Sequence, residues 1–160
     1  MVENYKFSNM VPFNKILCPY DFSEYSKHAL AWTLKLNESN NLSIYILHIM
    51  INPLLYETGS PVFGNQIYAD DLLSKLREEN QVQLDELMAQ LQIDHPEMEL
   101  HLICKESNDI GACIIESQQE LTSDLIVMGS HGRKGIKRFV LGSVAEDVVR
   151  HANCPVLVVR

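Results

Sequence analysis

Short apolar runs alternate along this chain with longer segments of helical periodicity, and that order constrains the fold more than any other feature. The runs are 14–20 (N-K-I-L-C-P-Y), 42–50 (L-S-I-Y-I-L-H-I-M), 98–104, 125–128 and 155–159. Between them, the spacing of apolar residues predicts helices over about 23–36, 69–92, 109–121 and 143–151. Ala29, Leu30, Thr33, Leu34 and Leu36 form the stripe of the first helix; Leu72, Leu76, Leu84, Leu87, Met88 and Leu91 form that of the second. Strict alternation with nearly continuous apolar strands indicates an α/β fold, a parallel sheet covered by helices on both faces. Parallel strands are joined by right-handed crossovers, so a doubly wound five-stranded open sheet is expected. In such sheets a ligand sits beyond the C-terminal strand ends, where the winding reverses. The residues able to reach that crevice are Asp21, residues 49–53, and Gly129 onward.

One of those segments has unusual chemistry. Gly129-Ser130-His131-Gly132 follows the run Leu125-Ile126-Val127-Met128, and nine residues later comes Gly142-Ser143 at the start of a helical pattern. Strand, glycine loop, helix start is the order in which a backbone makes a phosphate cradle: glycine reaches φ > 0 and leaves amides unshielded. The first amides of the helix and its positive dipole end favour an anion, and Ser143 is expected to cap that helix. Residues 129–143 carry Arg133, Lys134, Lys137 and Arg138 and no acid, in a chain of net charge -8. The reading is a nucleotide phosphate; turn chemistry and solvated surface charges are the plainer alternative. For Asp21 the two readings are ligand contact and a cap for the helix beginning near Ser23.

Other function classes are disfavoured. The acidic balance argues against binding nucleic acid, which needs a basic face. No apolar stretch approaches the roughly 20 residues that cross a bilayer, and the first residues lack a secretory layout, so a cytoplasmic protein is expected. Residues 1–13 are an N-terminal extension and 14–160 one domain. Cys18, Cys104, Cys113 and Cys154 show no C-x-x-C spacing, which suits reduced thiols rather than a zinc site; Cys18 and Cys104, in strands, are expected to be inert core thiols. His48 reads as a hydrogen-bonded core histidine, and Tyr20, Tyr45 and Trp32 as packing residues. Histidine is a common acid–base residue, but His131 has no second acid or base near it in sequence, so no catalytic residue is assigned. The Walker pattern is absent, and no acid in the glycine loop could hold a metal or orient water for fast phosphoryl transfer. Residues 52–68, with two prolines and two glycines, are either a surface loop or a lid over a ligand.

Three stretches carry a family likeness: Cys18-Pro19-Tyr20-Asp21-Phe22-Ser23, Leu47-His48-Ile49, and Met128-Gly129-Ser130-His131-Gly132-x9-Gly142-Ser143-Val144, followed by Cys154-Pro155-Val156-Leu157-Val158-Val159 at the end. With these the chain resembles the universal stress protein family, in its ATP-binding branch, over about residues 14–160. The resemblance implies an adenine nucleotide alpha hydrolase-like fold that binds ATP, with Mg²⁺ or Mn²⁺ held through the phosphates and no protein metal ligand. It implies a nucleotide site of Pro19, Tyr20, Asp21, Phe22, Ile49, Met128, Gly129, His131, Gly132, Arg133, Gly142, Ser143 and Val144. Within it, Asp21 and Ile49 would stand beside the adenosine, Met128 and Gly129 would border ribose and phosphates, and Gly132, Gly142, Ser143 and Val144 would supply amides. It further implies a homodimer through Val156 to Val159 and a nucleotide-dependent regulatory role in stress response. Slow ATP hydrolysis, an adenylating enzyme, or an interaction module with another small ligand are the alternatives. Where many relatives have a G-x-P turn, this chain reads Ser107-Asn108-Asp109, which suits a helix cap.

Overall fold

The computed structural model describes residues 13–38, 41–52, 66–132 and 141–160, with backbone alone for 66–70. Its elements run β1 (Lys15–Pro19), α1 (Glu24–Asn37), β2 (Ser43–Met50), α2 (Gln66–Asp94), β3 (Glu99–Glu106), α3 (Ile110–Leu121), β4 (Leu125–Gly129), α4 (Ser143–His151) and β5 (Val156–Val159). The five strands form one parallel sheet in the order β3-β2-β1-β4-β5. The expected α/β doubly wound sheet is therefore present. The chain steps outward from β1 to β2 and β3, then returns to the other side of β1 for β4 and β5. Winding reverses between β1 and β4, so the crevice lies above the C-terminal ends of those two strands.

Two apolar layers hold the sheet. On one face α1 and α2 bury Ala29, Leu30 and Leu91 against Ile16, Cys18, Ile44, Ile46 and Val127. On the other, α3 and α4 bury Ile114, Ala145 and Val148 against Leu17, Leu47, Ile126 and Met128. Alternate residues of β1 and β4 thus serve opposite layers, as the strand period requires. Ile16, Leu17, Ile44, Ile46, Ile126 and Val127 are fully enclosed, and burying such a side chain contributes about 1.5–3 kcal/mol. Gln118, Asn37 and Thr33 are buried as well, and Asn37 closes the α1–β2 connection: its Nδ2 donates to Leu42 O (3.1 Å) and its Oδ1 accepts from Leu42 N–H (2.5 Å).

Several expectations are corrected. Leu72 is 49% exposed and Leu73 takes the buried position, because the stripe of α2 turns by one residue at that end. Cys104 is exposed on the edge strand β3, where only one neighbour covers the sheet. Trp32 is half exposed on α1, with Lys35 Nζ 5.5 Å from its ring. The remaining element ends differ from expectation by three residues or fewer. Asp109 caps α3, accepting from Ala112 N–H at 3.0 Å, as the Ser107-Asn108-Asp109 turn suggested. The lid question for residues 52–68 falls mainly on 53–65, outside the described residues.

Candidate functional site

The chain leaves β1 at Pro19 and makes a tight corner. Tyr20 is buried, donates its N–H to Leu47 O (2.8 Å) and accepts His48 Nδ1 at its carbonyl (2.8 Å). The contact across from β2 holds the corner against the sheet, and His48, 3% exposed, is the hydrogen-bonded core residue that the sequence indicated. Burial pushes the Tyr20 phenol above its ordinary pKa, the nearby Lys27 opposing that shift. Phe22 then adopts φ 65°, a left-handed conformation that an aromatic residue enters only when its surroundings hold it there. Its ring is wedged edge-on between Tyr20 (5.1 Å between centroids) and His48 (5.3 Å). Strain of this kind collects at functional sites.

The turn at Phe22 aims Asp21. Its Oδ1 accepts from Ser23 N–H (3.1 Å) and Ser23 Oγ–H (2.6 Å), while Ser23 Oγ accepts from Ser26 N–H (3.2 Å) as the N-cap of α1. Asp21 is thus not itself the helix cap; it orients the residue that is. Its other oxygen, Oδ2, points across the crevice to Gly132, lying 2.8 Å from where a Cβ on that residue would sit. A carboxylate therefore reaches the glycine loop from β1 although the loop contains none.

On the β4 side, Met128 is buried under α3 and α4, and Gly129 ends the strand opposite Val159. A Cβ on Gly129 would lie 2.8 Å from the Tyr25 backbone carbon, so this glycine lets α1 approach β4. Ser130, 2% exposed, donates its N–H to Val159 O (2.7 Å) and accepts Gly142 N–H at its carbonyl (2.9 Å). The carbonyl bond ties the start of α4 to the end of β4. His131 Nδ1 lies 3.1 Å from Ser130 Oγ, and its ring is 5.2 Å from that of Tyr25.

Gly142, not Ser143, is the N-cap of α4, with φ −64°, ψ 148° and no side-chain cap bond. Ser143 is the first helical residue and is exposed; Val144 packs inward on the second apolar layer. None of the described glycines has φ > 0: Gly129, Gly132 and Gly142 are demanded by close approach, not by handedness. The bare helix start leaves first-turn amides without a side-chain acceptor, which suits an anion.

The structure thus brings together Pro19, Tyr20, Asp21, Phe22, Met128, Gly129, His131, Gly132, Gly142, Ser143 and Val144 at the reversal of winding. Ile49 lies farther out, near the end of β2, half-buried against the α3 side of the sheet. Arg133, Lys134, Lys137 and Arg138 lie outside the described residues. Ser130 and Tyr25 were not singled out in sequence. Ser130 could have been suspected from its place between two glycines at a strand end, whereas nothing marks Tyr25 before the helix is docked. Among the described residues no cluster of three His, Cys, Asp or Glu gathers to hold a metal, and no helix is long and apolar enough to cross a membrane.

Comparison with known proteins agrees with this architecture. The universal stress protein MJ0531 of Methanocaldococcus jannaschii is 29% identical over 92% of this chain and 82% of its own length. The structure of MJ0577, from the same organism, superposes with a TM-score of 0.76 at 28% identity, covering 93% of this chain and 96% of that one. A universal stress protein of Archaeoglobus fulgidus, solved in complex with dAMP, shares the fold at 19% identity, with a TM-score of 0.57 over 94% of this chain and all of that one. The sequence profile of the universal stress protein family matches residues 12–160, and the chain belongs to that family.

Proposed function

We propose that the chain binds ATP in the β1/β4 crevice, with Mg²⁺ or Mn²⁺ carried on the phosphates. In this reading it acts as a cytoplasmic, nucleotide-dependent regulatory factor of the stress response and not as a fast catalyst. The observation that carries the proposal is the bare start of α4, capped by Gly142 without a side chain and tied to Ser130 beside Gly132. The amides of Gly132, Ser143 and Val144 supply donors to the phosphates, and the Ser143 hydroxyl adds one; the Gly142 N–H is held by the Ser130 carbonyl and serves the junction instead. Asp21, beside Gly132, faces the nucleoside, and Ile49 gives adenine an apolar neighbour. Arg133 adds charge from the loop.

Against rapid hydrolysis stand the absence of a Walker pattern and of any acid within residues 129–143. Asp21 is engaged with Ser23 through Oδ1, and His131 is engaged with Ser130. Fast phosphoryl transfer needs a positioned water, metal ligands and charge neutralisation together. The reading includes a homodimer through Val156–Val159, supported by β5 being an edge strand among the described residues with Leu157 38% exposed, since an open edge invites a second strand.

The test is thermal melting with Mg²⁺ and ATP, ADP, AMP or cAMP. A ligand at about 1,000 times its Kd stabilises by about 4 kcal/mol, a rise of roughly 8–16 °C for a domain of this size. Gly132→Asp places a second carboxylate in the cradle and is expected to remove the shift while the fold persists by circular dichroism. No shift with any of the four nucleotides sinks the proposal; a shift with cAMP alone replaces ATP as the ligand.

A further inference from the structure

The outer edge of the sheet carries more than a bare strand. β5 is bonded to β4 on one side, through Pro155 O and Val159 O. The N–H and C=O of one residue point to the same side of a strand and alternate along it, so Val156 and Val158 turn theirs outward. The helices on the two faces of β5 each add an exposed apolar side chain to that rim. Trp32 of α1 is 50% exposed, Val149 of α4 48%, and Leu157 of the strand 38%.

The placement of both helix residues follows from helix geometry. Lys27 lies on the β1 side of α1, where its charge acts on Tyr20. Tyr25 lies on the other side, its ring against His131 beyond β4. Trp32 follows Tyr25 by two turns and shares that side. Because β4 has β1 on one side and β5 on the other, Trp32 stands on the β5 side. On the opposite face, Asp147 packs on Gly111 of α3, and Val148 is buried on the sheet. Val149 therefore turns away from α3, toward the same outer edge. One rim carries apolar surface in three layers: α1, sheet and α4.

A strand of four residues, about 13 Å long, makes a small interface by itself. A stable specific interface buries about 1,200–2,000 Å² in total. Side chains from the helix layers supply area that the strand lacks, and a half-exposed tryptophan is the largest single piece. A two-fold axis through the rim pairs β5 antiparallel with its copy and sets α1 beside α1 and α4 beside α4. Apolar surface then meets apolar surface in each layer, which is the self-complementarity a two-fold interface requires. Antiparallel pairing also keeps the two copies of Arg160, just past β5, at opposite ends of the joined strands.

We infer that Trp32 and Val149 are interface residues, and that the partner on this rim is a second copy of the chain gripped by both helix layers. The inference rests on the homodimer reading above and adds α1 and α4 to the strand.

The test is sedimentation velocity of the full chain over a dilution series, with the fluorescence of Trp32, the only tryptophan, read on the same samples. The emission should move to longer wavelength as the dimer dissociates, with the same midpoint. Trp32→Ala should raise the dimer Kd by about thirtyfold and Val149→Ser by about tenfold. Val82→Ser, at an exposed apolar position on α2, should change it by less than about twofold. Circular dichroism checks the fold of each variant. Val156→Pro removes an outward N–H at the first residue of a strand, where proline is tolerated, and reads the strand pairing separately. A dimer that Val156→Pro dissociates, but that Trp32→Ala and Val149→Ser leave unchanged, overturns the inference and keeps the strand-paired homodimer. Dissociation without a change in Trp32 emission overturns it as well. A chain that stays monomeric at every concentration overturns both.

Discussion

Two neighbouring glycines should respond oppositely to the same methyl group. At Gly129 an added Cβ would stand 2.8 Å from both the backbone carbon and the Cβ of Tyr25. Helix α1 cannot step aside there, because Ala29 and Leu30 anchor it in the core and Ser26 is bonded to Ser23. Overpacking of this kind costs about 1–3 kcal/mol. For a chain of 160 residues, an unfolding entropy of about 2.1 cal/mol/K per residue converts that to a fall of roughly 3–9 °C. At Gly132 the one close atom among the described residues is Asp21 Oδ2, at 2.8 Å, the far end of a side chain rather than backbone. Moving it loosens the hold of Asp21 on Ser23, a capping loss of at most about 1 kcal/mol, or roughly 3 °C. Gly129→Ala should therefore melt early, while Gly132→Ala should melt near the parent yet lose much of its rise with Mg²⁺ and ATP. Differential scanning calorimetry with and without nucleotide measures both. A Gly129→Ala protein melting within about 1 °C of the parent refutes the packing argument, as does a Gly132→Ala protein that is the less stable of the two.

Three further outcomes test the framework. Asn37→Ala leaves Leu42 N–H and O without their buried partner, and urea titration should show a loss of about 2–4 kcal/mol, two buried groups at about 1–3 kcal/mol each with some relaxation; a loss below about 0.5 kcal/mol would mean water replaces the side chain freely. His48→Leu removes the bond to Tyr20 O and the edge contact that holds Phe22 at positive φ, so the nucleotide-induced rise should shrink more than the apo stability does. Thiol labelling should separate the cysteines: burial pushes the Cys18 thiol up to about 12, opposed by the Thr33 hydrogen bond, so it stays neutral and unreactive at pH 8 until the protein unfolds. Exposed Cys104 should be alkylated first, as peptide mass spectrometry would record.

The order of elements was legible because each strand here is a short apolar run and each helix a longer periodic one, so β1 to β5 needed no tertiary information. The exceptions are places where position in the sheet decides. Cys104 has the surroundings in sequence of a core residue, but β3 is an edge strand and leaves it exposed. Leu72 and Leu73 are adjacent leucines near the start of a 29-residue helix, and only the docking of that helix says which one is covered. In the crevice, the glycine spacing and Asp21 could be read along the chain. Their contact could not, since Asp21 and Gly132 follow different strands, β1 and β4. The strained φ of Phe22 is likewise invisible, because it follows from wedging between Tyr20, just after β1, and His48 of β2.

The reversal of roles at Gly142 and Ser143 shows why fold and binding are hard to separate here. Serine is a strong helix cap and glycine a weaker one, so propensity alone puts the cap on Ser143. The structure gives it to Gly142, because a Cβ at that position would lie 2.9 Å from the Ser130 carbonyl oxygen. That carbonyl cannot withdraw: it accepts Gly142 N–H at 2.9 Å, and Ser130 N–H is itself held by Val159 O at 2.7 Å. The junction that docks α4 on β4 therefore excludes every residue whose side chain could cap the helix from that position. First-turn amides are left bare as a consequence of packing, with no ligand invoked. A chain that must bring α4 this close to β4 acquires an anion-accepting helix start along with its fold, and a substitution that capped the helix would first have to break the junction.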